Sequence, residues 1–75
     1  MTLVDEVRAI RGLPSPQLAR MIRVSAGVSQ KRLGAEIGVD RTTIIRWEAG
    51  QSKPRGEQRV RYAEVLAALQ KELAA

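Results

Sequence analysis

The fold is decided by residues 30–49 at the centre of the chain, which read QKRLGAEIGVDRTTIIRWEA. Large apolar side chains recur there at helical spacing on both sides of a glycine, at Leu33, Ile37, Ile44 and Trp47. Gly38 supplies that glycine, and Gly34 supplies a small residue where a second helix can cross the first. The stretch therefore predicts two short helices, over 30–37 and 41–49, joined by a tight turn.

Two further helices are predicted before this stretch. The first covers about residues 2–11, where three apolar side chains share one helical face, Leu3, Val7 and Ile10. The second begins at Pro16, which suits the first turn of a helix because its missing N–H has no partner to lose there. Ser15 can cap that helix. The apolar side chains expected on its inner face are Leu18, Met21 and Ile22.

The clearest amphipathic pattern lies in the last helix, predicted over residues 57–73. Its apolar side chains fall within a stripe of about 100°, the width of a core-facing helix surface. These side chains are Tyr62, Val65, Leu66, Leu69 and Leu73. Strand patterns are nearly absent, and we find no repeat, linker or low-complexity segment. Residues 1–75 are therefore expected to form one all-α domain, a compact five-helix bundle.

Composition argues against most catalytic chemistry. The chain has no Cys and no His, so thiol nucleophiles, imidazole bases and the usual zinc ligands are missing. Its 8 Asp and Glu residues show no paired arrangement, and we expect neither an enzyme nor a cofactor. No apolar run approaches the roughly 18–20 residues of a membrane span, and no signal-peptide pattern is present. We expect a cytoplasmic protein that does not bind membranes.

The net charge of +5 is concentrated in the middle of the chain. Between positions 20 and 61, ten Lys and Arg residues face four Asp and Glu residues, which leaves +6 there and −1 at the two ends together. A positive centre of this kind is typical of proteins that bind nucleic acid. A surface that merely keeps the protein soluble accounts for the charge equally well.

The central stretch has the steric features of a helix-turn-helix, in which a second helix enters the major groove of DNA. Residues 27–54, GVSQKRLGAEIGVDRTTIIRWEAGQSKP, further resemble the Cro/repressor-type (xenobiotic-response-element, XRE) helix-turn-helix family of phage and bacterial transcription regulators. The similarity extends from residue 18 to about residue 69, and it implies a lambda-repressor-like fold with the motif at about 30–49.

Two positions depart from the pattern of that family. Gly34 stands where the family usually has Ala, which keeps the helix crossing close but costs up to about 1 kcal/mol of helix propensity. Ile45 stands where the family often has a small polar residue, and we expect it to face solvent or DNA.

The resemblance implies that the second helix of the motif reads base edges. The positions that match the family's base-reading sites are Arg41, Thr42 and Arg46. Their chemistry agrees, because an arginine can donate two hydrogen bonds to guanine O6 and N7, and a threonine can bond a base edge or touch a thymine methyl. The alternative for all three is a solvated helix face.

Four more side chains are expected to contact the DNA backbone, namely Gln30, Thr43, Lys53 and Arg55. Gln30 opens the first helix of the motif, where the helix N-terminus favours an anion, and simple capping is its alternative role. Thr43 is suited to a base or a phosphate. Lys53 and Arg55 match the phosphate-binding loop of the family, and loop solubility is their alternative.

Arg23 and Glu48 are expected to be structural. Both are charged residues on helices that otherwise line the core, and family members pair these two positions in a partly buried salt bridge. Trp47 is likewise expected to belong to the core.

The function expected from these residues is sequence-specific binding of a double-stranded DNA operator, as a repressor-like transcription regulator. The alternative is an antitoxin, or another protein-interaction module of a toxin–antitoxin pair. The residues leave open whether the protein forms a homodimer through its terminal helices and whether it activates or represses transcription. They also leave open a phage origin, in which case the protein acts in the host cytoplasm. In a chain of 75 residues we expect no second domain and no small-molecule effector.

Overall fold

Four helices account for most of the computed structural model, which describes Leu3 and residues 12–75. They are α1 (Pro16–Ser25), α2 (Gln30–Ile37), α3 (Arg41–Glu48) and α4 (Gly56–Ala74). These bounds agree with the predicted ones to within one or two residues, and the described residues contain no strand, so the all-α class is confirmed. The helix predicted over about 2–11 lies outside the described residues, apart from Leu3.

Side-chain caps begin the first three helices, and the one at Ser15 is the cap that the sequence predicts. The oxygen atoms of Ser15, Ser29 and Asp40 accept hydrogen bonds from the backbone N–H groups of Leu18 (3.2 Å), Arg32 (3.0 Å) and Thr42 (2.8 Å). Each cap satisfies a donor that has no partner within its own helix. The starts of these helices are therefore set by hydrogen bonds between residues two or three positions apart.

The core lies where all four helices meet. Its side chains are Ala19, Ile22, Leu33, Ile37, Ile44, Trp47, Tyr62 and Leu66. The rings of Trp47 and Tyr62 pack in a tilted arrangement with their centroids 4.9 Å apart, which is within the favourable range for aromatic pairs. This ring contact joins α3 to α4, and α2 and α3 share the most extensive helix contact.

The buried face of α1 differs from the predicted one. Ile22 is buried as expected, but Leu18 and Met21 are exposed, Met21 by 63%. The helix instead buries Ala19 and Arg23. A pattern that counts large apolar residues treats arginine as a surface residue, so it does not assign Arg23 to the buried face. The prediction of this inner face was wrong for that reason.

The apolar stripe of α4 becomes more exposed toward the C-terminal end of the helix. Tyr62 and Leu66 are buried, and Val65 and Leu69 are half-buried. Leu73 is 46% exposed, although the helical pattern predicted it on the inner face. None of the described helices is long and apolar enough to span a bilayer.

Two glycines make the turn between α2 and α3 tight. Gly38 adopts a left-handed conformation with φ +88°, which favours glycine. The N–H groups of Gly38 and Val39 both donate to the carbonyl oxygen of Gly34 at 2.8 Å. A Cβ atom on Gly34 would lie 2.6 Å from the carbonyl oxygen of Val39. The chain therefore folds back closer to α2 than an alanine at this position permits.

Candidate nucleic-acid interface

Helix α3 has one face in the core and the other in solvent. Ile44 and Trp47 are buried, whereas Arg41, Thr42 and Arg46 are exposed. Because each residue turns an α-helix by about 100°, these three side chains spread over about 140° of the helix surface. The three predicted base contacts therefore share one exposed side of a helix that is anchored on its other side. Thr43, at the edge of that side, is half-buried.

Asp40 is the N-cap of α3 and contacts Thr42. Its carboxylate accepts the backbone N–H of Thr42 at 2.8 Å. That bond is the largest of the causes that lower the pKa of Asp40. The Thr42 hydroxyl group is the next largest, and the charge of Arg41 lowers the pKa further. The hydroxyl oxygen and the methyl group of Thr42 lie on the exposed side of α3, where they remain for a ligand. Such an oxygen suits the amino group of adenine or cytosine.

A buried ion pair lies behind the exposed side of α3. Arg23 Nε lies 2.6 Å from Glu48 Oε2, and Arg23 Nη2 donates to Glu48 Oε1 at 3.0 Å. The two side chains are only 10% and 3% exposed. Arg23 Nη1 also donates to the carbonyl oxygen of Val28 at 2.9 Å. This two-pronged contact joins α1 to α3 and to the segment that precedes α2.

Gln30 belongs to the same hydrogen-bond network. Its Nε2 atom donates to Glu48 Oε1 at 3.1 Å, and the side chain is half-buried. The sequence offers no signal for this bond, because the two residues are 18 positions apart. The bond orients the Gln30 amide and leaves its second amide hydrogen and the backbone N–H at the start of α2 for an anion.

The loop between α3 and α4 adds two cations to this surface. Lys53 and Arg55 are exposed, while Pro54 between them is buried against the core. The ion pairs among the described residues are Arg23–Glu48, Arg32–Glu36 and Arg61–Glu57. None of them includes Lys53 or Arg55, nor the two exposed arginines of α3. The charges of these four side chains are thus available to an external anion.

Tyr62 contributes an unusual electrostatic feature beneath the interface. Burial raises the pKa of its hydroxyl group to about 12. The charge of Glu48 also raises this pKa, and the charge of Arg23 opposes the rise. The hydroxyl has no hydrogen-bond partner among the described residues.

The chemistry of this surface is cationic and hydrogen-bonding. Guanidinium, ammonium, hydroxyl and amide groups suit phosphates and the edges of bases. In the part of the chain that the structure describes, no group of His, Cys, Asp and Glu side chains could hold a metal ion.

Comparison with known proteins agrees with this geometry. A family model described as helix-turn-helix matches residues 20–68, about two thirds of the chain, from α1 into α4. Searches of curated proteins and of solved structures returned no significant match. The matched family is a regulatory, DNA-binding one and not an enzymatic one. The chain belongs to the Cro/repressor-type (XRE) helix-turn-helix family of DNA-binding transcription regulators.

Proposed function

We propose that the protein binds a specific double-stranded DNA operator and represses transcription by occupying it. The observation that carries this proposal is the exposed side of α3, where Arg41, Thr42 and Arg46 stand on a helix fixed in the core by Ile44 and Trp47. With α3 in the major groove, each arginine donates to guanine O6 and N7, and Thr42 accepts from a base amino group. The protein acts on cytoplasmic DNA, or in the host cytoplasm if a phage encodes it.

The remaining polar groups hold the DNA backbone in this proposal. The N-terminus of α2, with Gln30 oriented by Glu48, supports one phosphate contact. Lys53 and Arg55 supply charge from the loop after α3, and Thr43 supplies a hydroxyl group at the edge of the helix. Contacts of this kind position a protein on DNA without reading its sequence.

Selection of bound duplexes from a random DNA pool tests the proposal. The expected result is one enriched motif whose affinity falls linearly on a log–log plot against salt concentration. Equal affinity for the enriched duplex and a scrambled one at about 0.15 M salt would contradict the proposal.

Two variants separate base reading from phosphate binding. Arg46→Ala should weaken the enriched duplex by about 1–3 kcal/mol and relax the preference at one base pair. Lys53→Ala should weaken all duplexes alike and reduce the salt slope by about 0.9. Lys71→Ala, which removes the same charge from the last turn of α4, is the matched control and should leave both quantities unchanged.

The C-terminal helix α4 supports a homodimer as part of this proposal. Val65 and Leu69 of α4, together with Val28 and Leu33, line a mostly apolar groove of about 300 Å³, with the Arg32–Glu36 ion pair also on its wall. Leu73 follows on the same helix and is partly exposed. Two copies that bury these side chains would read half-sites about one helical turn apart. Sedimentation with and without DNA tests the dimer, and Leu69→Lys should shift it to monomer.

An antitoxin is the second candidate, and one observation favours it. Leu18, Met21 and Val24 form an exposed apolar face on α1 that DNA recognition does not use. Co-purification with the product of a neighbouring gene, lost in Met21→Lys while operator binding persists, would support this function. Operator binding without any protein partner would count against it.

A further inference from the structure

Ile45 is the one large apolar side chain of α3 that is exposed to solvent. It is 37% exposed, whereas the neighbouring Ile44 is fully buried and Trp47 is 4% exposed. The other exposed side chains of α3 near it are Arg41, Thr42 and Arg46, which are charged or polar. The position therefore adds a large, half-exposed apolar group to a surface that otherwise offers hydrogen bonds, charge and the small methyl group of Thr42.

The location of Ile45 on the helix places it within the proposed recognition surface. At about 100° per residue, Ile45 lies about 40° from Arg41 and about 60° from Thr42. Arg41 and Arg46 lie at the two limits of the exposed side of α3, an arc of about 140°, and Ile45 lies inside this arc. Ile45 lies one helical turn after Arg41, about 6 Å along the axis, and directly before Arg46, so a groove that holds both arginines also holds Ile45.

The major groove offers such a side chain one apolar partner. Base edges there carry hydrogen-bond donors and acceptors, and the C5-methyl group of thymine is the exception. Contact between two apolar groups removes both from water, whereas contact between Ile45 and a base amino or carbonyl group would leave that polar group unpaired. A half-exposed isoleucine in this arc thus favours a methyl-bearing pyrimidine.

We propose that Ile45 recognises the C5-methyl group of a pyrimidine in the major groove, next to the bases that Arg41 and Thr42 contact. This inference rests on the proposed function and adds a specificity determinant to it. Thymine and 5-methylcytosine carry the same methyl group at the same place, so the recognised base in the operator is one of these two.

The test uses the duplex enriched from the random pool. Each thymine is replaced singly by deoxyuridine, which removes the methyl group and keeps base pairing. In parallel, each cytosine is replaced by 5-methylcytosine. We expect affinity to fall about three- to tenfold at one thymine position, or to rise by the same factor at one cytosine position, as burial of a single methyl group predicts.

The same replacements are repeated with two variants. Ile45→Ala should abolish the methyl dependence while the protein still binds the duplex. Leu18→Ala, which truncates a similarly exposed apolar side chain on α1, should retain it. Methyl dependence that persists in Ile45→Ala, or its absence in the unaltered protein, would overturn the inference while leaving operator binding intact. Failure to enrich any duplex would instead remove the proposed function and, with it, this role of Ile45.

Discussion

The ring and the hydroxyl group of Tyr62 make opposing contributions to the stability of the fold. Its ring packs against Trp47 in the core, and burial of a large side chain contributes about 1.5–3 kcal/mol. Its hydroxyl group is buried without a partner among the described residues, and such a group costs about 1–3 kcal/mol. The nearby Glu48 carboxylate already accepts hydrogen bonds from Arg23 and Gln30. The ring therefore stabilises the fold and the hydroxyl does not.

Tyr62→Phe should keep the free energy of unfolding at neutral pH or raise it by about 1 kcal/mol, because it removes only the unsatisfied group. Urea unfolding measures this change. A loss of more than about 1 kcal/mol would mean that the hydroxyl makes a stabilising hydrogen bond.

The pH dependence of stability gives a second measurement on the same pair of proteins. The folded-state pKa of about 12 lies above the ordinary value of 10.0, so the unfolded chain releases this proton first. The unaltered protein should therefore lose up to about 2–3 kcal/mol as the pH rises from 10 to 12, and Tyr62→Phe should be spared that loss. Because the chain has a single tyrosine, its ultraviolet titration reports this group alone.

At the scale of secondary-structure elements, the α2–α3 crossing depends on Gly34. The sequence predicts a small residue at this crossing, with glycine in place of alanine at a cost in helix propensity. The structure gives it a role, since the carbonyl oxygen of Val39 occupies the space where a Cβ atom would lie. A backbone atom cannot rotate away as a flexible side chain can.

Gly34→Ala should therefore lower the melting temperature, although alanine has the higher helix propensity by about 1 kcal/mol. The matched control is Ala35→Gly at the next, exposed position of α2, which should cost only the propensity difference of about 0.5–1 kcal/mol. Thermal unfolding compares the two. A gain of stability in Gly34→Ala would show that the turn moves to accept the methyl group.

At the scale of the whole molecule, the Glu48 carboxylate connects three helices. It accepts hydrogen bonds from Arg23 on α1 and Gln30 on α2, and it belongs to α3 itself. The angle between α3 and the start of α2 thus depends on one buried charge. Burying that charge is favourable only while its partners remain.

Glu48→Ala should lower the free energy of unfolding by about 3–5 kcal/mol, because Arg23 is then buried without its counter-ion. The double variant Arg23→Met, Glu48→Leu should recover most of this stability by replacing the pair with apolar contacts. Chemical unfolding of the three proteins measures both effects. Equal losses in the single and double variants would contradict a buried, desolvated pair.

The sequence alone determined the elements and their motif. Cap residues, glycines and the helical spacing of apolar residues predicted the bounds of α1 to α4 closely, because caps and turns are made between residues a few positions apart. The same local pattern, with the family resemblance, identified the exposed residues of α3.

The family resemblance implied a partly buried Arg23–Glu48 pair, and only the tertiary structure decided its geometry and which further polar groups join it. Three features depend on how close two helices approach: the two bonds from Arg23 to Glu48, the bond from Gln30 to Glu48, and the lack of space for a Cβ atom at Gly34. These hydrogen bonds join residues 25 and 18 positions apart, and no local pattern encodes such distances. Hydrophobic periodicity predicts which residues form a helix, whereas the partner across the core determines which charged side chain is buried.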